Sequence, residues 1–262
     1  MIQFGLSTSV FGALPPGPRE CESIARYGFS EIELVVPSAL LAADKRQGLL
    51  LIEHNARGAG VNVASLSVSL ADAANALDAI QELKCPLLTI RAGTCRIHGG
   101  DARGSAPDAH TLRRLLEPLA IQAAQIAVSA AVEFPAAWPS QAIIDLLDAL
   151  EAPALGACLD LGHAHMTEGA AEAIEQLAGY TRTIHLHDNL GRTDEHRLPF
   201  AGAIDWPAIL MELEKTGYAG SMTIELPQAD SDVDAVLTRA VGARTRLQAI
   251  LDDLAKPMVF PE

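Results

Sequence analysis

Residues 154–169 read ALGACLDLGHAHMTEG, residues 181–189 read TRTIHLHDN, and residues 191–206 read GRTDEHRLPFAGAIDW. Two short apolar runs, Leu155 to Leu161 and Thr183 to Leu186, each end in a cluster of carboxylate and imidazole side chains. Asp160, His163 and His165 belong to the first; His185, His187 and Asp188 belong to the second; Asp194 and His196 follow within a few residues. A strand that stops at chemistry-bearing side chains and gives way to a helix is a βα unit, and here two follow in succession. Imidazole nitrogen and carboxylate oxygen are ligands shared by divalent zinc, manganese and cobalt, and a mixed set leaves an open position for substrate. Any one of these histidines alone reads as a strand cap or a local hydrogen-bond partner. Clustered at two strand ends and the adjoining loop, they read as a metal centre.

Outward from this stretch the same alternation continues. Upstream lie strands at Ile2 to Ser7, Glu31 to Val36, Val61 to Val68, Leu87 to Arg91 and Ile126 to Glu133. Between them run helices from about Gly17 to Tyr27, closed by Gly28, then Lys45 to Arg57, Asp72 to Leu83, Asp108 to Gln125, and one capped by Ser140 that ends at Leu150. A helix from Ala170 to Gly179 separates the two quoted strands. Downstream, Asp205 caps a helix from Trp206 to Thr216 that stops at Gly217, Ser221 to Leu226 is an eighth strand, and Asp232 to Leu254 is a last helix. Eight βα units joined by right-handed crossovers predict a closed parallel (β/α)8 TIM barrel. A length of 262 residues with 49% hydrophobic content suits a single barrel domain over 1–262. An open doubly wound sheet is the alternative, but the Gly-rich phosphate turn it usually carries after the first strand is lacking.

Composition narrows the partners. A formal net charge of −14 repels polyanions and counts against a nucleic-acid partner. The start, MIQFGLSTSV, lacks a basic leader pattern, and no stretch of about 18 apolar residues is long enough to span a bilayer, so a soluble, cytoplasmic protein is expected. Cys21, Cys85, Cys95 and Cys158 form no C-x-x-C pair and read as reduced thiols.

In a barrel, chemistry sits where strands end and βα loops begin. The last polar residues of the expected strands are Ser7 or Thr8, Glu33, Ser67, Arg91, Glu133, Asp160, His185 and Glu225. The final four, from adjacent strands, can converge on one divalent ion.

CLDLGHAH, IHLHDN, DEH and GAIDW, with Glu133 in VEFP and Glu225 in TIEL, resemble the xylose-isomerase-like barrels. That superfamily contains sugar isomerases and epimerases, hydroxypyruvate isomerase, inosose dehydratase and, more distantly, endonuclease IV. The resemblance implies that Glu133, Asp160, His185 and Glu225 hold a metal, manganese, cobalt, magnesium or zinc, and that His163 contacts substrate. It also implies that His163, Asp194 and His196 form either a second metal position or an ordering hydrogen-bond network. The trinuclear zinc site of the endonuclease IV branch needs histidines where this chain has Ser67 and Arg91, and neither serves as a zinc ligand. A small carbohydrate-like substrate follows, and family members are often dimers or tetramers, which leaves a homo-oligomer open, with the apolar 258–261 as one candidate interface.

Arg91, with Arg96, His98 and Arg192, offers cations for a carboxylate or phosphate on the substrate; the competing reading is an ion pair of Arg91 with Glu33 or Glu133. Trp138 and Phe11 are candidate sugar-stacking walls. Trp206 reads as packing, Cys158 as a small filler facing the barrel with Asp160, His187 and Asp188 as partners that orient ligands, and His165 and His54 as structural or solvated. The expected chemistry is abstraction of a carbon-bound proton beside a metal-polarised carbonyl, with Glu133 and Glu225 as acid and base. Return of the proton gives epimerisation or isomerisation, and loss of a β-hydroxyl gives dehydration. The alternative is a zinc-dependent phosphodiester hydrolase of the endonuclease IV type.

Overall fold

The computed structural model describes residues 2–12, 14–93, 107–229 and 232–256; Arg96, His98, Cys95 and the segment 258–261 lie outside them. Eight strands, β1 (Gln3–Ser7), β2 (Glu31–Val35), β3 (Asn62–Ser69), β4 (Leu87–Arg91), β5 (Ser129–Glu133), β6 (Leu155–Asp160), β7 (Thr181–Leu186) and β8 (Ser221–Ile224), pair in sequence order. Every pairing is parallel, and β8 returns to β1 with Gln3 opposite Ser221, which closes the expected (β/α)8 barrel.

Successive side chains on a strand point to opposite faces. Leu66 and Val68, Leu88 and Ile90, Ile184 and Leu186, and Met222 and Ile224 are buried in the apolar core. The residues that alternate with them, Ser65, Ser67, Thr89, Arg91, Thr183, His185, Thr223 and Glu225, are also buried but polar. One set packs outward under the helices and the other fills the barrel. Burying each Leu or Ile contributes roughly 1.5–3 kcal/mol, and this apolar layer offsets the cost of burying the polar one.

The helices are α1 (Pro18–Arg26), α2 (Ser38–Leu41), α3 (Arg46–Gly58), α4 (Ala73–Leu83), α5 (Ala109–Gln125), α6 (Ser140–Leu150), α7 (Leu161–Thr167), α8 (Ala170–Leu177), α9 (Trp206–Thr216) and α10 (Val233–Leu254). Among the described residues none is long and apolar enough to cross a membrane. Asp205 caps α9 as expected, accepting from Ala208 N, and Gly217 ends α9 in the left-handed region; Asp232, expected as the first residue of the last helix, is instead its cap, accepting from Ala235 N.

Three local expectations are corrected. Residues 126–128 are not strand: Ala127 has a positive φ of 54°, and Val128 N donates back to Ala123 O, so this β-branched stretch closes α5. Ser140 is the first residue of α6, not its cap; its N–H and hydroxyl both donate to Glu168 Oε1. The helix α7 begins directly at the end of β6, where Asp160 Oδ1 accepts from His163 N at 2.9 Å.

Candidate metal centre and active site

The inward residues at the C-terminal ends of β2 and β5 to β8 form two adjoining clusters. The deeper one is built around His185, which has no exposed surface. Its Nε2 lies 3.2 Å from Glu33 Oε2, and the same oxygen accepts from Ser65 Oγ at 2.9 Å and Thr89 Oγ1 at 2.8 Å. Burial alone would raise the Glu33 carboxyl, but His185 and the hydroxyl donors hold it below its ordinary value. On the other side of the ring, His185 Nδ1 lies 3.2 Å from Glu133 Oε2 and 3.3 Å from Glu225 Oε2, and neither contact is aligned as a hydrogen bond. Burial pulls the imidazole down, while Cys158, Glu33 and Glu225 pull it well above its usual range. The Cys158 thiol is buried beside it and pushed up to about 12 by that burial.

The upper cluster joins β6 to the loop after β7. Asp160 Oδ1 stands 2.8 Å from His187 Nε2, and Asp160 Oδ2 stands 4.0 Å from His163 Nε2. His163 turns its Nδ1 to Phe134 O at 3.1 Å, which directs Nε2 towards Asp194 Oδ2 at 3.5 Å. His196 Nε2 lies 3.1 Å from Asp194, and its ring stacks on His187 with centroids 3.7 Å apart. Burial works against every charge here, yet His163 and His187 hold Asp160 well below the usual carboxylate range, and Asp160 and Asp194 push His163 up to about 10. Glu225 links the two clusters, its Oε2 lying 4.0 Å from His196 Nδ1.

The loop that carries Asp194 and His196 is held by Asp188. Its Oδ1 accepts from Asn189 N at 2.9 Å and Ile204 N at 3.2 Å, and its Oδ2 accepts from Trp206 Nε1 at 3.0 Å. Backbone bonds between Asp188 and Arg197, 2.7 and 2.8 Å, pair the two ends of the loop. Asn189 Nδ2 donates to Gly162 O, tying the loop to α7. Gly162 itself is a close-approach glycine: a Cβ there would lie 1.9 Å from His187 Cε1. The sequence thus spends a glycine, an aspartate and a tryptophan on seating His187.

Of the four expected ligands, Glu133, His185 and Glu225 come together, but Asp160 meets His187, not His185. The reason is geometric. His185 and His187 alternate on one strand and both face inward, and the deeper one is taken by Glu33. The structure also brings His163, Asp194 and His196 together. Donor chemistry fits a divalent cation: Glu133 Oε2, Asp160 Oδ2 and both nitrogens of His187 are buried with no hydrogen-bond partner among the described residues. Side-chain atoms of Asp160, His163 and His187 lie within 4.8 Å of one another, as do those of His187, Asp194 and His196.

Arg91 donates to Ser67 Oγ, and no ion pair to Glu33 or Glu133 occurs among the described residues. Arg192 is exposed. Trp138 packs on Phe134 with centroids 5.5 Å apart and lines a small cavity with Asp160 and His163. Trp206 is packing, as read from sequence, and also the indole donor to Asp188. Phe11 lies apart from both clusters, beside Arg19 and Asp232. Glu33, which was not among the four expected ligands, belongs to the deep cluster, as Cys158 does, and His187 belongs to the upper one. The available signal was parity: Glu33, Cys158 and His187 all occupy inward positions of their strands or strand extensions.

A family model described as xylose isomerase-like TIM barrel matches residues 21–250. A stretch of 102 residues, 38% of this chain and 23% of that protein, is 31% identical to L-rhamnose isomerase of Rhodopirellula baltica. Another, of 74 residues, 28% of this chain and 24% of that protein, is 36% identical to the uncharacterized protein y4fM of Sinorhizobium fredii. The matches thus span about a quarter of the length of these curated relatives. A solved structure of L-ribulose 3-epimerase superposes with a TM-score of 0.79 at 17% identity, covering 100% of both chains.

Proposed function

The chain belongs to the xylose isomerase-like TIM barrel family, and from that premise we propose that it is a divalent-metal-dependent isomerase or epimerase. Its substrate is a small sugar, sugar phosphate or hydroxy-keto acid, and residues 1–262 act as one barrel domain. The observation that carries this reading is the pair of glutamates, Glu133 from β5 and Glu225 just past β8, whose Oε2 atoms flank one imidazole nitrogen below Asp160 and His187. The likeness to an L-ribulose 3-epimerase and to an L-rhamnose isomerase supports it.

Asp160 and His187 would hold the ion, with Glu133 and Glu225 on either side. An ion there supplies positive charge that stabilises an enediolate. The protein's own groups do the rest. Glu133 and Glu225 sit on opposite strands of the site, so one removes the proton beside the substrate carbonyl and the other returns it. Delivery to the opposite face of the same carbon gives an epimer; delivery to the neighbouring carbon gives an isomer. His163, with Nδ1 fixed on Phe134 O, presents Nε2 to the substrate oxygen that gains charge. Arg91 and Arg192 are the candidates for a distal anion, and Trp138 for an apolar wall beside Asp160.

The test is proton exchange. Metal-loaded protein is incubated in deuterium oxide with keto sugars and hydroxy-keto acids, and deuterium entering next to the carbonyl is followed by NMR. Exchange that disappears in Glu133→Gln and in Glu225→Gln supports the reading; exchange that survives both removes the glutamates from the mechanism. One observation favours a second reading: the assembled trio His163, Asp194 and His196 suits a second metal, as a phosphodiester hydrolase of the endonuclease IV type would require. Ser67 and Arg91, bonded to each other, weigh against it. Cleavage of an abasic-site oligonucleotide by the zinc-loaded protein, with no exchange in the sugar panel, would reverse the ranking.

A further inference from the structure

His185 does not meet Asp160, and its surroundings are those of a ligand in its own right. Glu33 accepts hydroxyl donors from Ser65 and Thr89 on the same oxygen that faces His185 Nε2, so Nε2 carries a ring proton and donates it. That leaves Nδ1, between the Glu133 and Glu225 oxygens, as the ring atom directed into the barrel, and a cation that takes it displaces the proton the metal-free imidazole carries there. A carboxylate that receives the outer N–H of a histidine is the arrangement that orients and strengthens imidazole ligands of metals. Nδ1 has no hydrogen-bond partner among the described residues; nor does Glu133 Oε2, 3.2 Å away, and the two residues are 0% and 5% exposed in their side chains. Cys158, opposite Glu133 in the β5–β6 register, completes the group: one ligand atom from each of Glu133, Cys158 and His185 lies within 4.8 Å of the others.

We propose that Cys158, His185 and Glu133 form a second, deeper metal position that takes a thiophilic divalent cation of the zinc and cobalt class. The spacing suits an ion about 2.1 Å from nitrogen and oxygen and about 2.3 Å from sulfur. Binding displaces the thiol proton of Cys158 and the Nδ1 proton of His185, both released to solvent, so two protons leave for each ion bound. Thiolate ligation excludes the hard cations magnesium and calcium and disfavours manganese. Glu133 has two oxygens, so Oε2 can serve this position while Oε1 stays available to the site above it. The proposal concerns ligation alone and does not depend on which reaction the barrel performs.

Cobalt reports sulfur ligation directly. Chelator-stripped protein titrated with cobalt is expected to develop the near-ultraviolet sulfur-to-cobalt charge-transfer band. The band is expected to be retained in Cys95→Ser and lost in Cys158→Ser, while calorimetry still detects cobalt bound to that variant at the upper cluster. Cobalt binding without a charge-transfer band, or a band that persists in Cys158→Ser, overturns the proposal. If Cys158→Ser does not fold, the cadmium-loaded wild-type protein decides by NMR: a cadmium shift in the sulfur-ligated range supports the site, and one confined to the oxygen and nitrogen range refutes it.

Discussion

Gly162→Ala tests whether His187 is the imidazole that Asp160 shares with a metal. A Cβ at position 162 would lie 1.9 Å from His187 Cε1, 2.4 Å from Nδ1 and 2.5 Å from Nε2. The ring cannot retreat freely, because His196 stacks on it at 3.7 Å. Relief requires moving His187 off Asp160 or shifting α7. Forcing a methyl into a packed site costs about 1–3 kcal/mol, and at roughly 2–4 °C per kcal/mol for a chain of this size the melting temperature falls by roughly 2–12 °C. If His187 is a ligand, displacing its ring costs at least the roughly 10–100-fold in metal affinity that removing an orienting partner costs. Calorimetric titration of chelator-stripped protein with manganese, beside thermal melts, reads both quantities. Gly242→Ala is the control: nothing lies within 4 Å of its new methyl, and as a residue inside α10 it is expected to stabilise by up to about 1 kcal/mol. Wild-type manganese affinity in a destabilised Gly162→Ala protein would refute the role given to His187.

Asp188→Asn places an amide where Trp206 Nε1 and two backbone N–H groups need an acceptor, so at least one buried donor loses its partner; the expected cost is about 1–3 kcal/mol, seen as a lowered melting temperature, and an unchanged one would contradict the role of Asp188 in holding the loop. His163 is pushed up to about 10 from an ordinary 6.5, chiefly by Asp160 against the effect of burial, so its contribution to stability is complete below about pH 6.5 and is lost as pH rises through about 10. Metal-free protein should therefore melt at progressively lower temperature across that alkaline limb, and a flat profile would refute the ion-pair assignment. Arg91→Ala is expected to raise KM for anionic substrates by roughly 10–100-fold, the scale of one charge-assisted hydrogen bond, while leaving neutral substrates nearly unaffected; equal increases for both would end the anion-recognition reading.

The barrel was legible because its strands are short apolar runs bounded by glycine, proline and polar clusters, and because eight of them alternate with helices. Strand ends at Arg91, Glu133 and Ser7 match the expectation to the residue. Residues 126–128 misled for a local reason: Ile126 and Val128 favour strands, but the positive φ at Ala127 belongs to a helix terminus. The short α7 was hidden because GHAHMTEG has too few apolar positions to show a helical period. The make-up of the two clusters was partly legible. Parity places His185 and His187 on the same face, yet depth along a tilted strand depends on the barrel's stagger, which local sequence does not carry. Glu33 is the same problem seen from β2: its membership of the His185 cluster depends on contacts across 152 positions of chain.

The pairing of Gln3 with Ser221 sets a schedule for synthesis. At about 5–20 residues per second, the first strand waits roughly 10–40 s on the ribosome before its last neighbour is made. Throughout that interval β1 has one bare edge, a template for pairing with the wrong chain. β1 is only five residues long, which limits the reach of that edge while the barrel stands open.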